Sequence, residues 1–254
     1  MATYKKRGYK PKSKAEEAQL ETEKSATAEV FTTLDESASR SEQWVSKNQN
    51  YILGAIGVVA VVVLGYLAYN QFVQSPREES AANELYYPQQ YFDQALNATA
   101  KDSLYNLALN GAEGKYGFLD IIDEYSGTKA ANLANYSAGM AYLNMQQYEQ
   151  AIKHLEQFKS DDAILGALAK GGIADAFMQL GQPGEALGYY ESAFKHSDNE
   201  FTTPRYLYKA GIAAMELNQN ETALGYFRRI KEEYPDSNAA STIDVFIGMA
   251  QKGA

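Results

Sequence analysis

Three stretches decide the fold: NMQQYEQAIKHLEQF at 144–158, QLGQPGEALGYYESAF at 179–194 and ELNQNETALGYFRRI at 216–230. They align on Ala151, Ala186 and Ala223, which lie 35 and 37 residues apart. A unit of that length holds two antiparallel helices and a turn, and such units stack side by side because none can bury its apolar face alone. Working outward, residues 77–254 are rich in Ala, Leu, Tyr and Glu at helical spacing and lack the alternation of strands, which predicts an all-helical domain.

Within each unit a small residue, an aromatic, a turn residue, a second small residue and a large residue recur. They read Gly139, Tyr142, Gln146, Ala151 and Leu155, then Ala174, Phe177, Gly181, Ala186 and Tyr190, then Gly211, Ala214, Asn218, Ala223 and Phe227, with Pro235 closing the third unit. This pattern resembles the tetratricopeptide repeat family. Asn218 in place of the turn Gly and Ala214 in place of the aromatic depart from it. In physical terms, small residues let paired helices approach, and the aromatics fill the gap between successive pairs. Three repeats are expected over 128–237, with a degenerate half-repeat in GFLDIIDEYSGT and a capping helix at Ala239–Ala250 within a terminal segment 238–254. Residues 74–127 form a helical lead-in. There Glu78–Asn97 is expected as a helix disturbed by Pro88, and Ser103–Leu109 as another with Asp102 as N-cap.

Upstream, ILGAIGVVAVVVLGYLAYNQF at 52–72 runs 21 residues without a charge, about 31 Å as a helix, which matches a bilayer core. Residues 51–73 are therefore expected to be an uncleaved transmembrane signal anchor, with Tyr51, Tyr66 and Tyr69 near its ends. A cleavable signal peptide would start nearer residue 1 and have a shorter apolar run. The expected fold class is all-α, a single N-terminal transmembrane helix followed by a tetratricopeptide-repeat-like α-solenoid.

Charge divides the chain in the same places. Residues 1–50 carry 9 basic and 8 acidic side chains, 51–76 carry none, and 77–254 carry 14 basic and 24 acidic. Basic residues before the span, against a first basic residue at Arg77 after it, predict a cytoplasmic N-terminus and the C-terminal domain outside. Within the flanking 20 residues the bias narrows to Arg40 and Lys47 against one. Residues 1–50 read as a basic, disordered cytoplasmic tail. Tyr4 and Tyr9, interleaved with Lys5, Lys6, Arg7, Lys10 and Lys12, would suit anionic lipid headgroups or ribosomal RNA. A helix from Ala15 to Ser46, anchored by Val30, Phe31, Leu34 and Trp44, is the alternative.

Composition also excludes functions. The chain has no cysteine, which removes disulfide scaffolds and thiolate chemistry. An acidic ectodomain argues against nucleic acid as its partner. The only histidines, His154 and His196, are 42 residues apart without metal-ligand spacing, and both are expected on exposed positions of second helices or their ends. GAEGKYG at 111–117 only half-resembles a phosphate loop, since Tyr116 stands where Ser or Thr is needed, and reads as a turn. No enzyme, metal, cofactor or small-molecule substrate is expected.

What remains is a binding face supplied by the first helix of each pair. The repeat register places Tyr136, Met140, Leu143 and Asn144 there, then Leu168, Asp175, Met178 and Gln179, then Arg205, Tyr208, Lys209, Ile212 and Met215. Met and Tyr together make an adaptable apolar surface suited to variable partner segments. The competing reading is that the capping helix covers part of this stripe. A carboxylate clamp is disfavoured, because Tyr136 and Met140 stand where its first repeat needs Lys and Asn.

The layout over residues 40–254, with EYSGTKAANLA followed by GMAYLNMQQYEQAIKHLEQF as the closest local match, resembles the ancillary subunits of the bacterial SecYEG translocon. That resemblance implies an inner-membrane protein with a periplasmic domain. It would work beside the SecYEG channel subunits and hand translocating chains to membrane-anchored periplasmic chaperones. A scaffold for outer-membrane biogenesis or cell division is the alternative.

Overall fold

The computed structural model describes residues 13–99 and 101–253. The chain divides into two units, residues 1–69 and 70–254. The first is one α-helix, α1 (Lys14–Tyr69). No Pro or Gly occurs between Pro11 and Gly54, and the stretch is rich in Ala, Glu, Lys and Gln. High helix propensity over so long a window outweighs the scarcity of large apolar residues. The disordered tail expected over 1–50 is thus corrected: from Lys14 onward it is helical, and the alternative helix is longer than Ala15–Ser46. The basic cluster Lys5–Lys12, with Tyr4 and Tyr9, lies outside the described residues. In the uncharged stretch Leu53, Ile56, Val58, Val59, Val61 and Val62 are each more than half exposed. Apolar on all sides, with mean hydropathy 2.4 in its best window and none of that window buried, it is long and apolar enough to cross a membrane.

The second unit is helical throughout its described residues apart from its turns. It begins with a π-helical turn, Asn70–Gln74, then α2 (Ser75–Glu84) and α3 (Tyr86–Asn97). The break falls at Leu85 because Pro88 lacks an N–H and its ring collides with the carbonyl four residues back, that of Glu84. α4 (Lys101–Asn110) starts one residue before Asp102, so Asp102 lies in the first turn and is not the N-cap. Residues 111–117 form a turn closed by a single bridge between Ala112 and Lys115, as the half-formed phosphate motif suggested. α5 (Phe118–Glu124) buries Phe118 and Ile121 against Tyr105, Leu109, Ala134 and Ala138.

Three helix pairs follow: α6 (Lys129–Asn144) with α7 (Tyr148–Gln157), α8 (Leu165–Gln179) with α9 (Pro183–His196), and α10 (Thr203–Glu216) with α11 (Asn220–Glu233). A short 3-10 turn and α12 (Ile243–Gly253) close the stack by burying Ile243 and Ala250. The small and large positions meet as the repeat pattern requires. A Cβ on Gly139 would lie 2.5 Å from Leu155 Cγ, and one on Gly211 would lie 2.2 Å from Phe227 Cε1. Neither glycine tolerates a side chain without displacing the residue that fills its pair.

All three pairs turn by one device. Gln146, Gly181 and Asn218 adopt φ of 61°, 71° and 58°. In each turn the next N–H bonds back to the carbonyl five residues earlier: Gln147 to Tyr142, Gln182 to Phe177 and Gln219 to Ala214, at 2.8–2.9 Å. This is the Schellman stop, which favours glycine, then asparagine.

Successive pairs are also tied by polar rungs one repeat apart. The Tyr189 hydroxyl donates to Glu156 at 2.7 Å and the Tyr226 hydroxyl to Glu191 at 2.6 Å. Tyr234 donates to Asp198, and Lys209 to both oxygens of Asp175 at 2.6 Å. The bond to Glu156 pushes the Tyr189 pKa up to about 12, so this rung is unbroken across physiological pH.

Candidate functional site

α6, α8 and α10 present parts of their first-helix stripes to one open groove of about 720 Å³. Leu143 and Asn144 line it from α6, Asp175, Met178 and Gln179 from α8, and Tyr208, Lys209 and Ile212 from α10. Three residues that the stripe reading did not assign to this face join them: Gln146, Tyr148 and Tyr190. Gln146 comes from the α6–α7 turn and Tyr148 from the first residue of α7, both of which reach the groove because α6 ends beside it.

Five expected residues lie elsewhere. Tyr136 and Met140 are half-buried and pack on Leu155, Phe158, Ala169 and Ile173, with the Tyr136 and Phe158 rings 5.2 Å apart. They sit one and two turns too far toward the start of α6, where the next pair already covers the helix. Met215, like Leu168, is half-buried against the C-terminal core cluster. Arg205 is exposed and lines a second cavity of about 470 Å³, shared with Tyr208, Lys209 and the Ser237–Thr242 segment.

The groove floor carries one charged cluster, and it is internally satisfied. Asp175 accepts both Lys209 contacts and a 2.5 Å hydrogen bond from the Tyr190 hydroxyl. Burial first and the Asp175 charge second hold the Tyr190 phenol well above its ordinary range. Lys209 is therefore spent within the fold and is not poised for a ligand carboxylate, which agrees with the disfavoured clamp. Asn144 donates to the Met140 carbonyl at 2.8 Å. The remaining surface of Leu143, Met178, Ile212 and Tyr208 is apolar, and what it can offer a ligand is burial.

His154 corrects the sequence reading. It is only 6% exposed, stacks on Tyr142 at 5.4 Å and lies 3.0 Å from Asn135 Oδ1. Asn135 Nδ2 already donates to the Ala131 carbonyl, so its Oδ1 is the acceptor and His154 Nδ1 carries the proton. Its burial followed from α7 packing on α6, which a single-helix wheel does not register. Burial, then Lys153, lowers the His154 pKa, against an opposing pull from Asp123. The unfolded chain therefore binds the proton more readily. Stability is full above about pH 6.5, the unfolded value, and is lost as pH falls through the lower folded value. Urea midpoints between pH 7.5 and 5 are expected to fall more for the wild type than for His154→Gln. His196 is half-buried, not exposed, and bonds Lys170 and the Asp162 carbonyl.

Among the described residues no group of His, Cys, Asp or Glu is arranged to hold a metal. Residues 136–200, and again 172–238, match the family described as Tetratricopeptide repeat. No curated protein matches the chain. The helix pairs, the glycine-to-large-residue contacts and the family match agree, and residues 136–238 are a tetratricopeptide-repeat module for protein–protein interaction.

Proposed function

We propose that this is a single-pass protein of the bacterial inner membrane, N-terminus cytoplasmic and repeats periplasmic. It serves as an accessory subunit of the SecYEG translocon that links emerging chains to membrane-anchored chaperones. The observation that carries this reading is an uncharged, exposed helix joined in one chain to a repeat module whose groove offers apolar burial and no uncompensated charge. Emerging chains are unfolded and diverse in sequence, and flexible Met178 beside Leu143, Ile212 and Tyr208 suits such a client.

The test is photocrosslinking of the full chain in native membranes from a probe at Gln179, with a probe at exposed Glu149 on α7 as control. Channel subunits and translocating chains are expected at Gln179 alone. Recovery of outer-membrane assembly factors only would replace the translocon by another envelope assembly. Met178→Ala with Ile212→Ala should weaken crosslinking about 30-fold, for roughly 2 kcal/mol of lost anchoring. Tyr136 and Met140 are left untouched, because truncating them would unpack the repeats.

A further inference from the structure

A third cavity, of about 650 Å³, opens on the opposite face of α8 from the groove. Its floor is apolar: Leu155, Phe158, Ala169 and Ile173 are all buried. Its rim carries Lys159 and Lys170 beside His196, together with the carboxylates Glu156 and Asp161. Lys195, Lys209, Arg229 and Lys231 all pair with carboxylates, yet among the described residues neither Lys159 nor Lys170 does.

The neighbours explain why these charges stay available. His196 Nε2 donates to the Asp162 carbonyl at 3.0 Å, which leaves Nδ1 as a neutral acceptor for Lys170 Nζ at 2.8 Å. One donor of the ammonium is spent and two remain. Gly166 makes room for this, since a Cβ there would lie 2.1 Å from His196 Nε2. Of the two rim carboxylates, Glu156 accepts from the Tyr189 hydroxyl, and Asp161, two residues from Lys159, forms no ion pair with either lysine among the described residues. Lys159 Nζ reaches only the Glu156 carbonyl, at 3.1 Å. Desolvation holds the Lys170 pKa down, a penalty that an anion would relieve.

We propose that this cavity binds an amphipathic carboxylate, its apolar body on Leu155, Phe158 and Ile173 and its carboxylate on Lys170 and Lys159. The C-terminal residue of a polypeptide and a free aromatic or aliphatic acid share this chemistry, and the volume suits either. The site is independent of the translocon reading and of the groove.

The full chain in lipid nanodiscs is titrated calorimetrically with N-acetyl-phenylalanine, its amide, and benzoate. N-acetyl-phenylalanine is expected to bind saturably and the amide at least about tenfold more weakly, as loss of a charge-assisted hydrogen bond requires. Benzoate binding equally well identifies a free acid as sufficient. Its failure beside N-acetyl-phenylalanine binding identifies a chain terminus. Lys170→Met should weaken binding about tenfold or more, with Met178→Ala unchanged. If a thermal melt shows that Lys170→Met does not fold, exposed Lys159→Met carries the test with a several-fold loss. Equal affinity for the amide, no saturable binding of either carboxylate, or a folded lysine variant that binds as well as the wild type overturns the proposal.

Discussion

Phe227→Ala is expected to destabilise the repeat domain by about 3–5 kcal/mol, the range for truncating a fully buried aromatic. The ring is completely buried and lies 6.3 Å from Tyr208 and 5.7 Å from Phe246. It fills the space left by Gly211 and at the same time seats α12, so its loss opens the third helix pair and undermines the cap. Urea unfolding followed by far-ultraviolet circular dichroism measures the change. Gly211→Ala alone should cost about 1–3 kcal/mol through overpacking. Combined with Phe227→Leu it should cost less than the two single losses added, because the smaller side chain vacates the space the methyl needs. Additive losses would mean that the two positions do not share one contact.

Val59→Lys with Val62→Lys should move the chain from the membrane to the soluble fraction. Each lysine near the middle of a span costs about 2.5–3.5 kcal/mol of insertion free energy. Both valines lie near the centre of the uncharged stretch and are more than 60% exposed, so neither substitution disturbs a packed interior. Alkaline extraction of membranes from cells making each form is the measurement. A double variant that stays in the membrane pellet would show that attachment does not depend on this helix.

The repeat register was legible because it rests on size at fixed spacing, and the size rule is local. Gly139 and Gly211 were legible as small positions and Leu155 and Phe227 as large ones, and the structure adds that each small residue meets the large one of its own unit. The turn at Asn218 was read as a departure, yet its φ of 58° is a conformation asparagine tolerates, so it preserves the motif. The groove was half legible. The position of a residue along α6 decides whether it meets solvent or the following pair, and Tyr136 and Met140 were read by helix face alone. His154 was misread for the same reason, since its burial comes from a neighbouring helix.

The tyrosine rungs carried a signal that went unread. Glu156 and Glu191 each stand five residues after the repeat alanine, and Tyr189 and Tyr226 each stand three after it in the following unit. Each tyrosine finds the glutamate of the unit before it. The signal is a relation between units, invisible when each is read singly.

Those rungs join residues 33 to 36 positions apart, and the most distant hydrogen-bonded pair among the described residues, Glu78 with Lys129, spans 51. Such short separations give a low contact order and rapid folding. They also make folding vectorial. At about 5–20 residues per second, the stretch that completes one rung emerges roughly 2–7 s after its partner, so each unit needs only its successor before it can lock. The domain can consolidate from its N-terminal end while its C-terminal end is still being made, and no early segment must wait exposed for a distant one.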